Sequence, residues 1–184
     1  VYLMKFGFIG LGQMGAPMAM NLAQKHDVLV YDQNKNTIAN VVRNGAKGAN
    51  KLDQFANVNI LIMCLPTANI IENALFDLKV GLAQHLKGGT LIVDTSTIEY
   101  GATLEIKKRL HSADLRFLDA PVSGMEKRAK DGSLTMMVGG NAKDLAEVHD
   151  ALSTMASKIL HMGDVGSGQL TKLVNQLLFD INAA

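Results

Sequence analysis

The chain has 184 residues, 48% of them hydrophobic, with 18 basic and 17 acidic side chains and one cysteine. That hydrophobic content excludes a disordered chain, and that length supports one core, or one core plus a fragment. A net charge of +1 spread without blocks excludes the electrostatic footprint of a nucleic-acid or anionic-membrane binder, and no apolar run approaches the ~20 residues a bilayer span needs.

A small neutral or anionic ligand in a local pocket fits this balance. The opening "VYLMKF" lacks the charged segment and cleavage site of a secretory leader, so the expected compartment is the cytoplasm. Residues 1–3 precede a methionine and read as a start-site remnant. Cys64, inside the run "ILIMCLP", has no internal partner and is expected to be a reduced, buried thiol.

In chain order, "KFGFI" (5–9) is a short apolar run that closes on Gly10, and "PMAMNLAQK" after it is built from helix formers without a β-branched residue. Strand, turn and helix follow. The pattern repeats with "DVLVY" as strand, a helix near 35–44, "NILIMCL" as strand, helical stretches through 68–86, "TLIVD" as strand and a helix near 99–112. Near-continuous apolar strands belong to a parallel sheet covered on both faces by crossover helices, which predicts an α/β doubly wound architecture. "RFLDA", "SLTMMVGG" and "KILHMG" add three strands, with a helix near 142–156 between the last two. The interval from 119 to 134 is too short for a standard helical crossover, so one of these strands is expected to run antiparallel.

"GFIGLGQMG" places Gly10, Gly12 and Gly15 in G-x-G-x-x-G spacing after a strand and before a helix. Gly10 permits the tight turn, Gly12 lets backbone approach a pyrophosphate, and Gly15 lets the helix sit close on the sheet. Gly10, Leu11, Gly12, Gln13, Met14 and Gly15 are therefore candidate cofactor residues, with amides at the helix start aimed at the phosphates. Asp32 ends the second strand, 22 positions after Gly10, where a carboxylate accepts ribose hydroxyls and repels a 2′-phosphate. Gln33 beside it cannot clamp a phosphate as arginine would, so NAD is preferred to NADP. The plainer role for Asp32 is to cap the following turn.

On the last helix, Leu170, Leu173, Val174, Leu177, Leu178 and Ile181 form one apolar stripe. Lys172, Asn175, Gln176 and Phe179 point the other way. Spacing alone makes this a solvated polar face, although an aromatic at 179 implies that the face meets something.

Together these segments resemble the β-hydroxyacid dehydrogenase family, which includes 3-hydroxyisobutyrate dehydrogenase and tartronate semialdehyde reductase. The likeness rests on "FIGLGQMGAPMAMNL" (8–22), "LP" (65–66), "DTSTI" (94–98), "DAPVSG" (119–124), "GSLTMMVGG" (132–140) and "GSGQLTKLVNQ" (166–176). It implies a Rossmann domain over 1–163, the start of an interdomain helix over 164–184, and an all-helical second domain that is missing here. It further implies hydride transfer between NAD(P) and a small 3-hydroxy acid or semialdehyde, with Lys172 as general acid/base. Ser123, Gly124, Asn175 and Gln176 are implied to receive a small carboxylate substrate. Leu65, Pro66 and Thr97 are implied to lie near the nicotinamide half of the cofactor. The whole protein is implied to be a homo-oligomer.

Several positions depart from the family pattern. Met125 and Arg128 stand where glycine is common, Tyr100 where proline is usual, and Gln176 where asparagine is frequent. "VNQ" replaces the His-Asn-Gly pattern that follows the lysine in phosphogluconate dehydrogenases. The alternative is a non-catalytic dinucleotide-binding module used for sensing or assembly, which would have no need of Lys172, Ser123 and Gly124.

Overall fold

A computed structural model describes residues 4–183, apart from the side chains at 179, 180, 182 and 183. The expected nature of residues 1–3 and the expected partner-facing role of Phe179 therefore lie outside the described residues. Nine strands form one sheet: β1 (Lys5–Ile9), β2 (Asp27–Tyr31), β3 (Lys47–Gly48), β4 (Ile60–Met63), β5 (Leu91–Asp94), β6 (Arg116–Asp119), β7 (Val122–Ser123), β8 (Leu134–Gly139) and β9 (Ala156–Gly163). Their spatial order is β3-β2-β1-β4-β5-β6-β8-β7, with β9 also paired to β8. Pairing is parallel from β3 across to β6. The expected antiparallel strand is β8, which runs against both β6 and β7.

Alternation sorts each central strand onto two cores. Phe6, Phe8, Val30, Ile62 and Val93 pack under α1 (Gly15–Ala23), α2 (Lys35–Val42), α5 (Met125–Asp131) and α6 (Ala142–Leu152). Ile9, Leu61, Met63, Ile92 and Phe117 pack under α3 (Ala68–Phe76) and α4 (Tyr100–Ser112). Each fully buried side chain of this size contributes roughly 1.5–3 kcal/mol. Helices on both faces make the sheet doubly wound, as the apolar runs imply.

The order reverses between β1 and β4, which flank each other although β2 and β3 intervene in sequence. In such sheets the ligand crevice opens at this point, beyond the carboxyl ends of the strands. Register fixes that edge, because Ile9, Met63, Asp94, Asp119 and Gly139 are successive partners across five strands.

Four short elements escape the periodicity: β3, a 3-10 helix (Leu52–Asn57), β7 and α5. The last spans "MEKRAKD", in which only Ala129 is buried, so no apolar spacing announces it. The final helix, α7 (Ser167–Ala183), follows β9 after three residues.

Candidate active site

The glycine turn sits at the carboxyl end of β1. Gly10 has φ +92°, and a Cβ there would strike the Cys64 carbonyl. Gly15 opens α1, and a Cβ there would strike the Gly10 carbonyl. Gly12 is different, since nothing lies within 4 Å of its absent side chain. Among the described residues, the amides of Gly12, Gln13 and Met14 donate to no acceptor in the chain. Open space and unspent donors at the start of a helix are what an anionic group requires. Leu11 departs from the expectation: its amide is spent on Asp32 Oδ2 at 2.7 Å, and its side chain is in the core. It builds the turn without facing a ligand.

Asp32 takes the plainer of the two roles considered for it and keeps acceptor capacity for the other. Besides Leu11, it accepts the Asn34 amide at Oδ1, 2.8 Å away, so it does cap the turn. Two carboxylate oxygens carry about four acceptor directions, which leaves two for hydroxyl groups. Asp32 also lines a cavity of about 470 Å³ together with Gly10, Tyr31, Leu65, Pro66 and Ile70.

Across the switch point, the Leu65 amide donates to Ser96 Oγ at 2.8 Å, which ties the Leu65–Pro66 turn to the end of β5. Thr97 is exposed just beyond. Cys64 is free, and burial pushes its thiol pKa up to about 11, which removes it from nucleophilic chemistry at neutral pH.

The surprise of spacing lies on α7. At its root two polar side chains, Gln169 and Lys172, turn toward the protein, while the apolar stripe faces out. Lys172 is 8% exposed and Gln169 3%, whereas Leu173 is 56% exposed and Ile181 72%. Lys172 therefore does not belong to a solvated face. Burial alone lowers its pKa from the ordinary lysine value. The helix can sit this way because Gly168 has no side chain; a Cβ would meet the Met137 carbonyl and Asp119. Asp119 closes the helix start by accepting the Gly166 amide at 2.6 Å and the Gln169 amide at 2.9 Å. The Gln169 side chain accepts the Ile98 amide at 3.2 Å and donates to the Ser96 carbonyl at 2.8 Å. Tyr100, the residue that replaces a family proline, stands where a side chain on Gly166 would go.

Ser123 ends β7 and Gly124 (φ +140°) precedes α5; both are half-buried at the same end of the sheet. Met125 follows with φ +59° and 80% exposure. A methionine in the left-handed region costs roughly 1–2 kcal/mol. Asn175 and Gln176 continue the Lys172 side of α7 but are exposed. Sequence reasoning missed Asp94, Asp119 and Gln169, although all three lie inside the family-like motifs "DTSTI", "DAPVSG" and "GSGQLTKLVNQ".

Asp94 is fully buried, and its Oδ2 has no hydrogen-bond partner. Desolvation, with neighbouring Asp119 adding to it, raises its pKa to about 7. The folded chain thus keeps a proton that the unfolded chain releases near pH 4. That contribution to stability is complete below about pH 4 and is lost as pH rises toward 7. Asp94→Asn should flatten this decline by up to about 1.4 kcal/mol per pH unit, so the variant gains on wild type between pH 5 and pH 8. Denaturant midpoints at the two pH values check this, and parallel profiles would refute it.

Comparison with known proteins places this geometry. The family described as the NAD binding domain of 6-phosphogluconate dehydrogenase matches residues 5–163. The 2-(hydroxymethyl)glutarate dehydrogenase of Eubacterium barkeri is 39% identical over 183 residues, covering 98% of this chain and 60% of that protein. The 3-hydroxyisobutyrate dehydrogenase of Pseudomonas aeruginosa is 36% identical over 176 residues, covering 95% of this chain and 59% of that one. Among solved structures, the Mycobacterium tuberculosis 3-hydroxyisobutyrate dehydrogenase with L-serine aligns with a TM-score of 0.91 at 31% identity, covering 96% of this chain and 60% of that chain. This chain spans about 60% of the length of these relatives.

Proposed function

The chain belongs to the family of NAD-binding domains shared by 6-phosphogluconate dehydrogenase and the β-hydroxyacid dehydrogenases, and on that footing we propose that it is the cofactor-binding part of a 3-hydroxyacid dehydrogenase or semialdehyde reductase. The observation that carries this reading is Lys172: a buried lysine, with its pKa lowered, on a helix rooted at the sheet edge where the glycine turn also lies. A dinucleotide fits the residues present, given the open space at Gly12, the free amides of Gly12, Gln13 and Met14, and the cavity beside Asp32. Gly10 and Gly15 shape the turn, Asp32 takes ribose hydroxyls, and Leu65, Pro66 and Thr97 border the nicotinamide half.

When bound, the dinucleotide supplies the hydride acceptor for oxidation and the donor for reduction. Lys172 moves the proton: its neutral amine accepts it from the substrate hydroxyl in oxidation, and its ammonium returns it to the carbonyl oxygen in reduction. Ser123 and the Gly124 amide receive the substrate carboxylate, and Asn175 and Gln176 border it. Asp32 followed by Gln33 favours NAD over NADP.

The exposed stripe Leu170, Leu173, Val174, Leu177 supports α7 as the beginning of an interdomain helix. In the full-length gene product, a helical domain and a second subunit would cover such a surface.

The test is a panel of small 3-hydroxy acids and semialdehydes offered to the full-length gene product with NAD(H) and NADP(H), followed by the absorbance of the reduced cofactor. Turnover of at least one member, faster with NAD, is expected. No turnover with either cofactor would favour a binding module without catalysis.

A further inference from the structure

We propose that Asp119 and Gln169 are positioning residues for Lys172, a two-point clamp that locks the root of α7 to the turns bordering the cofactor. The inference rests on the catalytic reading of Lys172 and adds to it what holds the amine in place.

Lys172 makes no ion pair among the described residues, so no charged partner anchors its nitrogen and the backbone beneath it sets where the buried side chain begins. That backbone is held in an unusual way. Most helix starts are satisfied by one serine, threonine, asparagine or aspartate at the cap, near solvent. Here the cap is a buried carboxylate from the middle of the sheet, accepting the amides of Gly166 and Gln169. Burial raises the Asp119 pKa, and the amides of Gly166, Gln169 and Gly168 oppose that shift. Stability alone does not require so costly a device, because an exposed cap would satisfy the same amides.

The second point is Gln169 itself. Glutamine is rarely buried, yet this one is 3% exposed, and it spends both ends of its amide outside its own helix. It accepts from Ile98 and donates to the Ser96 carbonyl, while Ser96 Oγ holds the Leu65 amide. A continuous line of hydrogen bonds therefore runs from the Leu65–Pro66 turn through Ser96 to Gln169. Lys172 lies three residues further on, one turn up the same face. Connected, fully satisfied buried networks specify one arrangement. A displacement of about 1 Å at a reacting group can cost ~100-fold in rate.

The test uses the full-length gene product with Gln169→Leu, Lys172→Ala and the double variant. Gln169→Leu should lower kcat by about 10- to 100-fold while the KM for NAD changes less than about threefold. It should also move the pH limb of kcat for oxidation upward, because a loosened lysine is better hydrated and regains its ordinary basicity. In the Lys172→Ala background the same change should have no further effect, which a purely stabilising role would not produce. Unchanged kcat and pH limb in Gln169→Leu, or a loss of equal size in both backgrounds, would overturn the clamp. Wild-type turnover in Lys172→Ala would instead overturn the catalytic reading itself. Should Gln169→Leu fail to fold, Gln169→Glu has the same length and keeps the acceptor for Ile98 but not the donor to Ser96. It must then show the same split between kcat and KM, and its absence would equally refute the clamp.

Discussion

Lys172→Ala in the full-length gene product is expected to lower the hydroxy-acid turnover proposed above by about 10³-fold while NAD affinity stays within about twofold. General acid–base catalysis contributes roughly 10²–10⁴-fold, and the residues assigned to the dinucleotide lie on other elements. Direction in pH follows from burial, which holds the ammonium below the ordinary lysine value. Oxidation needs the neutral amine, so kcat for oxidation should rise with pH and level off before the ~10.4 of a solvated lysine. Reduction needs the ammonium, so its kcat should fall through the same region. Lys172→Arg keeps the charge but cannot release its proton in this range, and it should lose oxidation as completely as alanine does. Steady-state rates in both directions across pH are the measurement, and wild-type turnover in the alanine variant would be the refutation.

Substitutions at the three glycines should separate sharply. Gly10→Ala and Gly15→Ala each drive a methyl group into a backbone carbonyl, of Cys64 and of Gly10 respectively. Gly10 also holds φ +92°, and a main-chain oxygen between β1 and β4 cannot swing aside as a flexible side chain would. Each change should cost several kcal/mol, a large share of the 5–15 kcal/mol that keeps a domain folded. A Cβ at Gly12 meets nothing within 4 Å, so Gly12→Val should unfold within about 1 kcal/mol of wild type. Thermal or denaturant unfolding of the three variants decides the matter. Equal destabilisation at all three positions would mean that Gly12 is held for packing.

How far such features can be read from sequence depends on how local their cause is. The strands of the doubly wound sheet announce themselves because burial on both faces writes an uninterrupted apolar run. The glycine turn is equally local, Gly10 answering to Cys64 at the end of the adjacent strand and Gly15 to Gly10 itself. The orientation of α7 is not. Periodicity finds the stripe Leu170–Leu173–Val174–Leu177 but cannot tell whether anything covers it, and here the stripe is exposed while Gln169 and Lys172 are buried. Asp94, Asp119 and Gln169 matter through strand register and a contact spanning 50 residues, which no spacing rule encodes. The capping role of Asp32 was foreseeable, but only coordinates show that capping leaves acceptor capacity to spare. Met125 is legible in part, since a non-glycine there signals strain only once its φ is known.

Equilibrium titration of the chain and its Gly12→Val variant with NADH, followed by cofactor fluorescence at matched fraction folded, asks whether a dinucleotide rests on the turn after β1. Saturable binding by the wild-type chain, weakened about 100-fold or more (~2.7 kcal/mol) in a variant that melts at the same temperature, is the expected result. Equal affinity in the two proteins, or no binding by either, would contradict a pyrophosphate held against the amides of Gly12, Gln13 and Met14.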